Sequence, residues 1–293
     1  MTADFYQWST EAQLEQFKQY LVKHTPHTTP FLGWLYLGKI HKAHPIESNQ
    51  IWCTHSDPLN TSDIAVWIID GGDRIRIFVN VEIELNNRPL TPEARDIIYN
   101  KNKPTTNLPR CYVDDKYQEL YEKSLKEVTE FEDPCFRYLK QASQHSIKSE
   151  QLDPTLKLTD VSMKDIDTIK AATKIDYPIE YLQQCASVST AIKTNDKDER
   201  LAAWVLTHRE MFVGVLQVLP EWRRKGLANV LVDNIGMKYI ELFKEVMPDT
   251  PLEKLYFTAT VESFNIASAK LFEKMGWTLT DPGVIWILCK PRD

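Results

Sequence analysis

The stretch from Met211 to Val246 restricts this chain more than any other. An apolar run, MFVGVLQVL, reads as a strand that stops at Pro220. A short turn follows, with three consecutive basic residues, Arg223, Arg224 and Lys225. From Gly226 onward Leu227, Val230, Leu231, Ile235, Tyr239 and Leu242 recur at the spacing of one helix face. A strand feeding straight into a long one-sided helix predicts a sheet with helices flanking it.

That helix start also has chemical consequences. The first turn of a helix leaves backbone N–H groups unpaired and carries partial positive charge, so it attracts anions. Gly226 and Ala228 are small enough for a diphosphate to approach the backbone, and the three basic side chains add charge at the same end. Taken alone, these residues leave two readings open: a pyrophosphate cradle, or a solvated basic turn.

The rest of the second half alternates strands and helices. Strands are expected at Ser187–Lys193, Leu201–Thr207, Met211–Leu219, Leu255–Val261 and Ile285–Cys289, with a strand end at Leu158–Thr159. Helices are expected after Asp160, which would cap VSMKDIDTIKAAT, and at Pro178–Cys185, Gly226–Val246 and Asn265–Met275. In the first half, Leu14, Phe17 and Leu21 give helical spacing over Glu11–Val22, which Thr25–Pro30 would stop. Strands are expected at Ile51–Thr54, Ile64–Ile69 and Arg74–Val81, the last two joined by an Asp70-Gly71-Gly72-Asp73 hairpin. Thr91-Pro92 reads as a helix start, and Asp114–Phe131 as a helix. The polar segment QHSIKSEQLDPTL, residues 143–155, is the expected linker. Two domains follow, an N-terminal α/β domain over 1–150 and a second domain over 156–293.

Composition excludes several function classes. With 293 residues the chain is long enough for two domains. Its net charge of -6 and lack of a long basic run argue against nucleic acid as a partner. IAVWII, among its longest apolar runs, is far too short to span a bilayer, so no membrane partner is expected. The five cysteines include no C-x-x-C pair, which suits free thiols in a reducing compartment. The first residues show no secretory pattern. A cytoplasmic protein is expected, with a mitochondrial one left open. His24-x-x-His27 and His41-x-x-His44 lack a third ligand cluster, so no metal is expected.

Two motifs then carry a resemblance. Arg223-x-x-Gly226-x-Ala228 resembles the Gln/Arg-x-x-Gly-x-Gly/Ala signature of the GNAT superfamily of N-acyltransferases. Asn265-Ile-Ala-Ser-Ala-Lys-Leu-Phe-Glu-Lys-Met-Gly-Trp277 is similar to that superfamily's second helix motif, in the right order and at the expected distance. Trp204-Val-Leu and Leu219-Pro-Glu-x-Arg223 resemble the glycine N-acyltransferase-like branch. The resemblance covers roughly residues 156–291. It implies an α+β fold with a mostly antiparallel sheet, whose strands before and after the motif helix splay apart. It also implies acetyl-CoA or a longer acyl-CoA as co-substrate, without a metal. The first half runs in a related order and would be a degenerate copy of the same fold, walling the acceptor pocket.

By the same resemblance the backbone of Leu216, Gln217 and Val218 would pair with the pantetheine arm. The amides from Arg224 through Lys225, Gly226, Leu227, Ala228 and Asn229, with Arg223 beside them, would hold the diphosphate, and Asn265 and Phe272 would meet the cofactor from the next helix. The implied reaction is attack of a neutral amine on the thioester, which needs a proton acceptor and a donor for the developing oxyanion. Two side-chain positions depart from the family pattern. The usual tyrosine is Phe272, and the strand position that often holds a glutamate is Phe212. Glu210, two residues earlier and so on the same side of a continuous strand, is the first candidate base, Glu262 a second relay, and His208 a further candidate. The expected acceptor is a small amine such as glycine or another amino acid. Alternatives are an arylalkylamine, a polyamine, a protein N-terminus, or no acceptor at all in an acyl-CoA-binding module.

Overall fold

The computed structural model of the chain describes residues 6–26, 28–41, 50–61, 65–70, 75–79, 128–131, 135–148, 151–262, 264–284 and 287–289. The expected helix start at Thr91-Pro92 lies outside these residues, as do His27 and His44 of the two histidine pairs.

The chain opens with β1 (Tyr6–Trp8), α1 (Glu11–Lys23), α2 (Thr29–His41), β2 (Gln50–Cys53), β3 (Val66–Asp70) and β4 (Ile75–Val79). A capping box starts α1: the Thr10 hydroxyl accepts from the Gln13 amide while the Gln13 side chain accepts from the Thr10 amide. Its apolar face buries Phe17 and Leu21, with the Phe17 ring stacked on Trp67 at 4.3 Å. The strands form an antiparallel sheet in the order β1-β2-β3-β4. The expected β3–β4 hairpin is present in this pairing. Helix α2 was not expected. Its sequence, TPFLGWLYLGKIH, has no single apolar stripe to reveal it, because apolar residues fall on all sides of the helix.

The same succession then recurs. β7 (Leu156–Thr159) leads to α3 (Ile166–Ala172), α4 (Ile179–Cys185), β8 (Ser189–Thr194), β9 (Leu201–Thr207) and β10 (Phe212–Val218), and the strands pair antiparallel in the order β7-β8-β9-β10. A strand, two helices and a three-stranded meander thus occur twice, as a duplicated fold requires. Ser162, rather than Asp160, forms the cap before α3, with its hydroxyl 2.6 Å from Asp165. The Asp160 carboxylate pairs with Lys238 instead.

After β10 come α5 (Leu227–Val246), β11 (Tyr256–Glu262), α6 (Ile266–Lys274), β12 (Thr278–Val284) and β13 (Ile287–Cys289). β8 and β9 are buried along their whole length because helices cover both faces. Ala203 and Val205 pack in one core with Leu231, Ile235 and Tyr239 of α5. Trp204 and Leu206 pack in the other with Ile169 of α3 and Leu182 of α4. That alternation is the two-residue period of a strand.

A strand from ahead of the expected linker completes this sheet. β6 (Cys135–Gln141) lies between β11 and β12, giving seven strands in the order β12-β6-β11-β10-β9-β8-β7. β5 (Val128–Phe131) pairs antiparallel with β13, from Phe131 opposite Ile287 to Val128 opposite Cys289, as β6 pairs antiparallel with β12, from Leu139 opposite Thr278 to Cys135 opposite Val284. The described end of the expected Asp114–Phe131 helix is therefore strand, drawn into that conformation by its partner. The segment after β6 is docked rather than loose. His145 Nε2 lies 2.8 Å from the Asp233 carbonyl, and the Lys148 amide donates to Asp233 Oδ2 at 2.8 Å. The boundary drawn at residue 150 is thus crossed by hydrogen bonds, which sequence distance does not limit.

Candidate active site

β10 and β11 run parallel but pair only at Phe212 with Thr258 and Val213 with Ala259. Directly beyond, β10 slips register against β9: Gly214 faces Leu206, yet Gln217 faces Trp204. One extra residue in β10 makes a bulge, which bends the strand and strengthens its twist. Val215 in this bulge has φ +48°. A β-branched residue in the left-handed region is strained, and such strain gathers at functional positions. The result is a cleft between neighbouring strands, with Leu216, Gln217 and Val218 unpaired on the side toward β11. This is the splay expected from the sequence.

The cleft leads to the start of α5. A single 3-10 turn, Pro220–Trp222, carries the chain from β10 into the basic turn. Arg224 at φ +61° and Gly226 at φ +75° then swing it into the helix. Gly226 is the N-cap and offers no side chain to the first-turn amides. A β-carbon built on Gly226 would meet nothing within 4 Å, so the space beside the cap residue is open. That opening fits a diphosphate, which needs backbone N–H groups and no obstructing side chain.

The basic residues divide their tasks. Arg223 Nε donates to the Val218 carbonyl at 3.1 Å and so fastens the turn. Lys225 rests its ammonium 4.6 Å above the Trp222 ring, while Arg224 is exposed at the same end. Leu227 points into the core, and Ala228 and Asn229 are half-buried. The Asn229 amide already donates to the Gly226 carbonyl at 3.0 Å, so an anion would meet the amides ahead of it.

On the neighbouring side, Asn265 caps α6 by accepting from the Ser268 amide at 3.2 Å. The cap uses the carboxamide oxygen, leaving the NH2 group as the end that could donate to a ligand. Phe272 is buried between Trp277, at 4.9 Å, and Tyr138, at 5.8 Å. Tyr138 arrives on the inserted β6 and brings a phenol ring against Phe272. Its O–H donates to Glu273 at 3.2 Å. Burial, and then the Glu273 carboxylate, push that phenol above its ordinary range.

The two expected carboxylates do not converge. Glu210 lies in the turn between β9 and β10, not on β10 itself, and it is buried. Met211 at φ +58° breaks the alternation that would have placed Glu210 on a strand face. Glu262 ends β11 at the opposite, open end of the cleft, half-buried, with its carbonyl accepting from the Asn265 amide at 2.8 Å.

His208 directly follows β9. Its amide donates to the Phe212 carbonyl at 2.9 Å, closing the β9–β10 turn, and its ring folds back onto β10. Cδ2 and Nε2 both lie 2.1 Å from where a β-carbon on Gly214 would stand. The other ring nitrogen, Nδ1, is 2.7 Å from the Tyr181 hydroxyl on α4. Tyr177, Tyr181 and His208 form a ring cluster with centroids 5.2 to 5.8 Å apart. The guanidinium of Arg209 lies 5.2 Å over Tyr181 and is itself held by Gln184. Sequence reasoning named His208 only by strand parity and missed both tyrosines. Local pattern carries no signal that α4 folds over the bulge.

The duplicated α+β architecture, the splayed strands and the uncapped helix start are the features that the resemblance implied for the fold. The family model described as FR47-like protein matches residues 192–286, from β8 to just past β12. Across nearly the whole chain, the fold is similar to that of a Drosophila protein of known structure. The TM-score is 0.63 at 16% identity, over 96% of this chain and 97% of that one. A tandem GNAT protein from the clavulanic acid biosynthesis pathway aligns over 99% of this chain and 100% of its own, with 12% identity and a TM-score of 0.45. A GCN5-related N-acetyltransferase from Sphaerobacter thermophilus aligns over 99% and 97%, with 8% identity and a TM-score of 0.46. Among curated proteins none matches.

Proposed function

We propose that this protein is an acyl-CoA-dependent N-acyltransferase of the GNAT type, moving an acyl group from the thioester to a small amine such as glycine or another amino acid. One observation carries the reading: β10 and β11 separate directly after Val213 and Ala259, and the gap leads to a helix start that no side chain caps, at a glycine with open space where a β-carbon would stand. In this reading the open edge of Leu216–Val218 takes the pantetheine arm. The amides around Gly226 take the diphosphate, with Arg224 adding charge and the Asn265 carboxamide reaching from α6. The cleft then holds the thioester at the bulge. The amine nitrogen attacks the carbonyl carbon, a C–N bond forms, the C–S bond breaks, and the thiolate of coenzyme A leaves with a proton.

The FR47-like match over 192–286 supports this reading, because it spans both motifs and the cleft. Calorimetry with coenzyme A, followed by thiol release from acetyl-CoA and longer thioesters over an amine panel, tests it. Saturable binding with amine-dependent thiol release is expected. Binding with no release for any amine would favour an acyl-CoA-binding module, a reading suited by Phe272 lying in the core where the family has a proton donor. No binding would end both readings.

A further inference from the structure

Resting on that reading, we infer that Phe212 is the wall that limits the length of the acyl group, so that the chain accepts short thioesters and rejects long ones. With the pantetheine arm along Leu216–Val218 and the thioester at the bulge, the acyl group is the next part of the molecule toward Gly214. It cannot run on between the strands. β10 and β11 are paired there, Val213 with Ala259 and Phe212 with Thr258, and paired strands stand only about 4.8 Å apart. The acyl group therefore has to turn onto one face of the sheet.

The two faces differ. On the α5 face Val213 and Ala259 are buried in the core, and Thr207, opposite Val213, bonds to the Tyr239 hydroxyl of α5 at 2.8 Å. That side is filled. On the other face Gly214 has no side chain, and Leu206 opposite it packs toward α3 and α4. The next side chain on this face of β10 is Phe212, two residues back and so about 7 Å away. It is 3% exposed and stands beside Thr258, which is fully buried. The His208 ring lies against Gly214, so a chain turning here is bounded by that ring and by Phe212. Only a short acyl group fits the interval. The wall is also firm. Phe212 is paired with Thr258, its carbonyl accepts from the His208 amide at 2.9 Å, and Gly33 of α2 packs against Glu210 and Met211 just ahead of it. A longer chain would have to displace this backbone, and overpacking a filled region is unfavourable.

The experiment compares the native chain with Phe212→Leu and Phe212→Ala. It measures kcat/KM for thiol release from acetyl-CoA and from hexanoyl-CoA with the best amine of the panel, and the affinity for both thioesters by calorimetry without amine. A single methylene in a fitted pocket is worth about tenfold or more, so the native chain should favour acetyl-CoA by at least about 100-fold. That preference should narrow by about tenfold or more in Phe212→Ala and by less in Phe212→Leu. A native chain that uses hexanoyl-CoA as well as acetyl-CoA would overturn the inference, and so would a preference that neither variant narrows. Both results leave the acyltransferase reading intact. Absence of coenzyme A binding by the native chain would overturn that reading and the wall with it. If thiol release is absent while coenzyme A binds, the ratio of the two thioester affinities decides by the same criteria. If Phe212→Ala does not fold, the ratio in Phe212→Leu decides, and an unmoved ratio there overturns the inference.

Discussion

Gly33 in α2 lies so close to the Glu210 carbonyl that a β-carbon on it would stand 2.2 Å from the oxygen. The first half of the chain therefore touches the backbone of the turn that carries His208. Gly33→Ala must push apart two buried backbones, and overpacking of this kind costs about 3 kcal/mol at the upper end of its usual range. A fall in the denaturation midpoint of that size is expected. Reduced thiol release from the remaining folded protein should accompany it, since the displaced turn leads directly into β10 where it parts from β11. A stability within about 0.5 kcal/mol of native would show that the two halves are not packed in this way.

Gly226→Asp tests the anion site directly. At φ +75° aspartate is among the few residues tolerated in place of glycine, and open space surrounds its β-carbon, so the fold should survive. The carboxylate would stand before the amides that an anion needs. Coenzyme A affinity should fall at least about 100-fold, as expected when a like charge is placed against a bound anion. Unchanged affinity in a folded variant would rule out the cradle.

Lys193 and Asp165 form a buried ion pair at 2.6 Å, with both side chains under a tenth exposed. Burial alone would raise the Asp165 carboxyl, but hydrogen bonds from Lys193 and from the Ser162 hydroxyl and amide outweigh it and hold the group below the usual carboxylate range. Lys193→Met should cost about 3 kcal/mol or more, because it leaves a buried carboxylate uncompensated. The double variant Lys193→Met/Asp165→Leu should recover most of the loss. Equal losses in the two variants, read by chemical denaturation, would contradict this. The linked acid dependence has a definite sign. Stability from Asp165 is present above the unfolded carboxylate value and disappears as pH falls through the lowered folded value.

His145, in the segment joining β6 to β7, packs its ring against Gly236 of α5. Burial lowers its basicity below the ordinary imidazole value of 6.5; the bond to the Asp233 carbonyl opposes the shift and Lys140 adds to it. Between the lowered folded value and that ordinary value the unfolded chain binds the proton more readily. Stability should therefore fall as pH drops through this window and level off below it. His145→Gln should flatten that slope, with faster amide exchange over residues 142–148. A slope unchanged by the substitution would mean that the segment is held by other contacts.

Much of the second half was legible in local sequence. The strand Leu201–Thr207 falls at its expected bounds, and α5 follows the expected apolar stripe from Leu227. Both have strong periodicity, set by whether a side chain meets the core. Gly226 and Asn265 were legible for a related reason: the start of a helix demands particular residues, and both sit at N-caps. The expected Glu210 base was not confirmed in its place, because strand parity assumes a continuous strand and Met211 turns the chain there.

By itself the sequence determined where helices start, which faces they bury, and which turn leaves its amides open, since each depends on residues a few positions apart. Only the tertiary structure decided that β6 from the first half sits between β11 and β12, that the bulge at Val215 parts β10 from β11, and that Tyr181 reaches His208. Those relationships join residues tens to more than a hundred positions apart through hydrogen bonds and packing. No local periodicity records such partners.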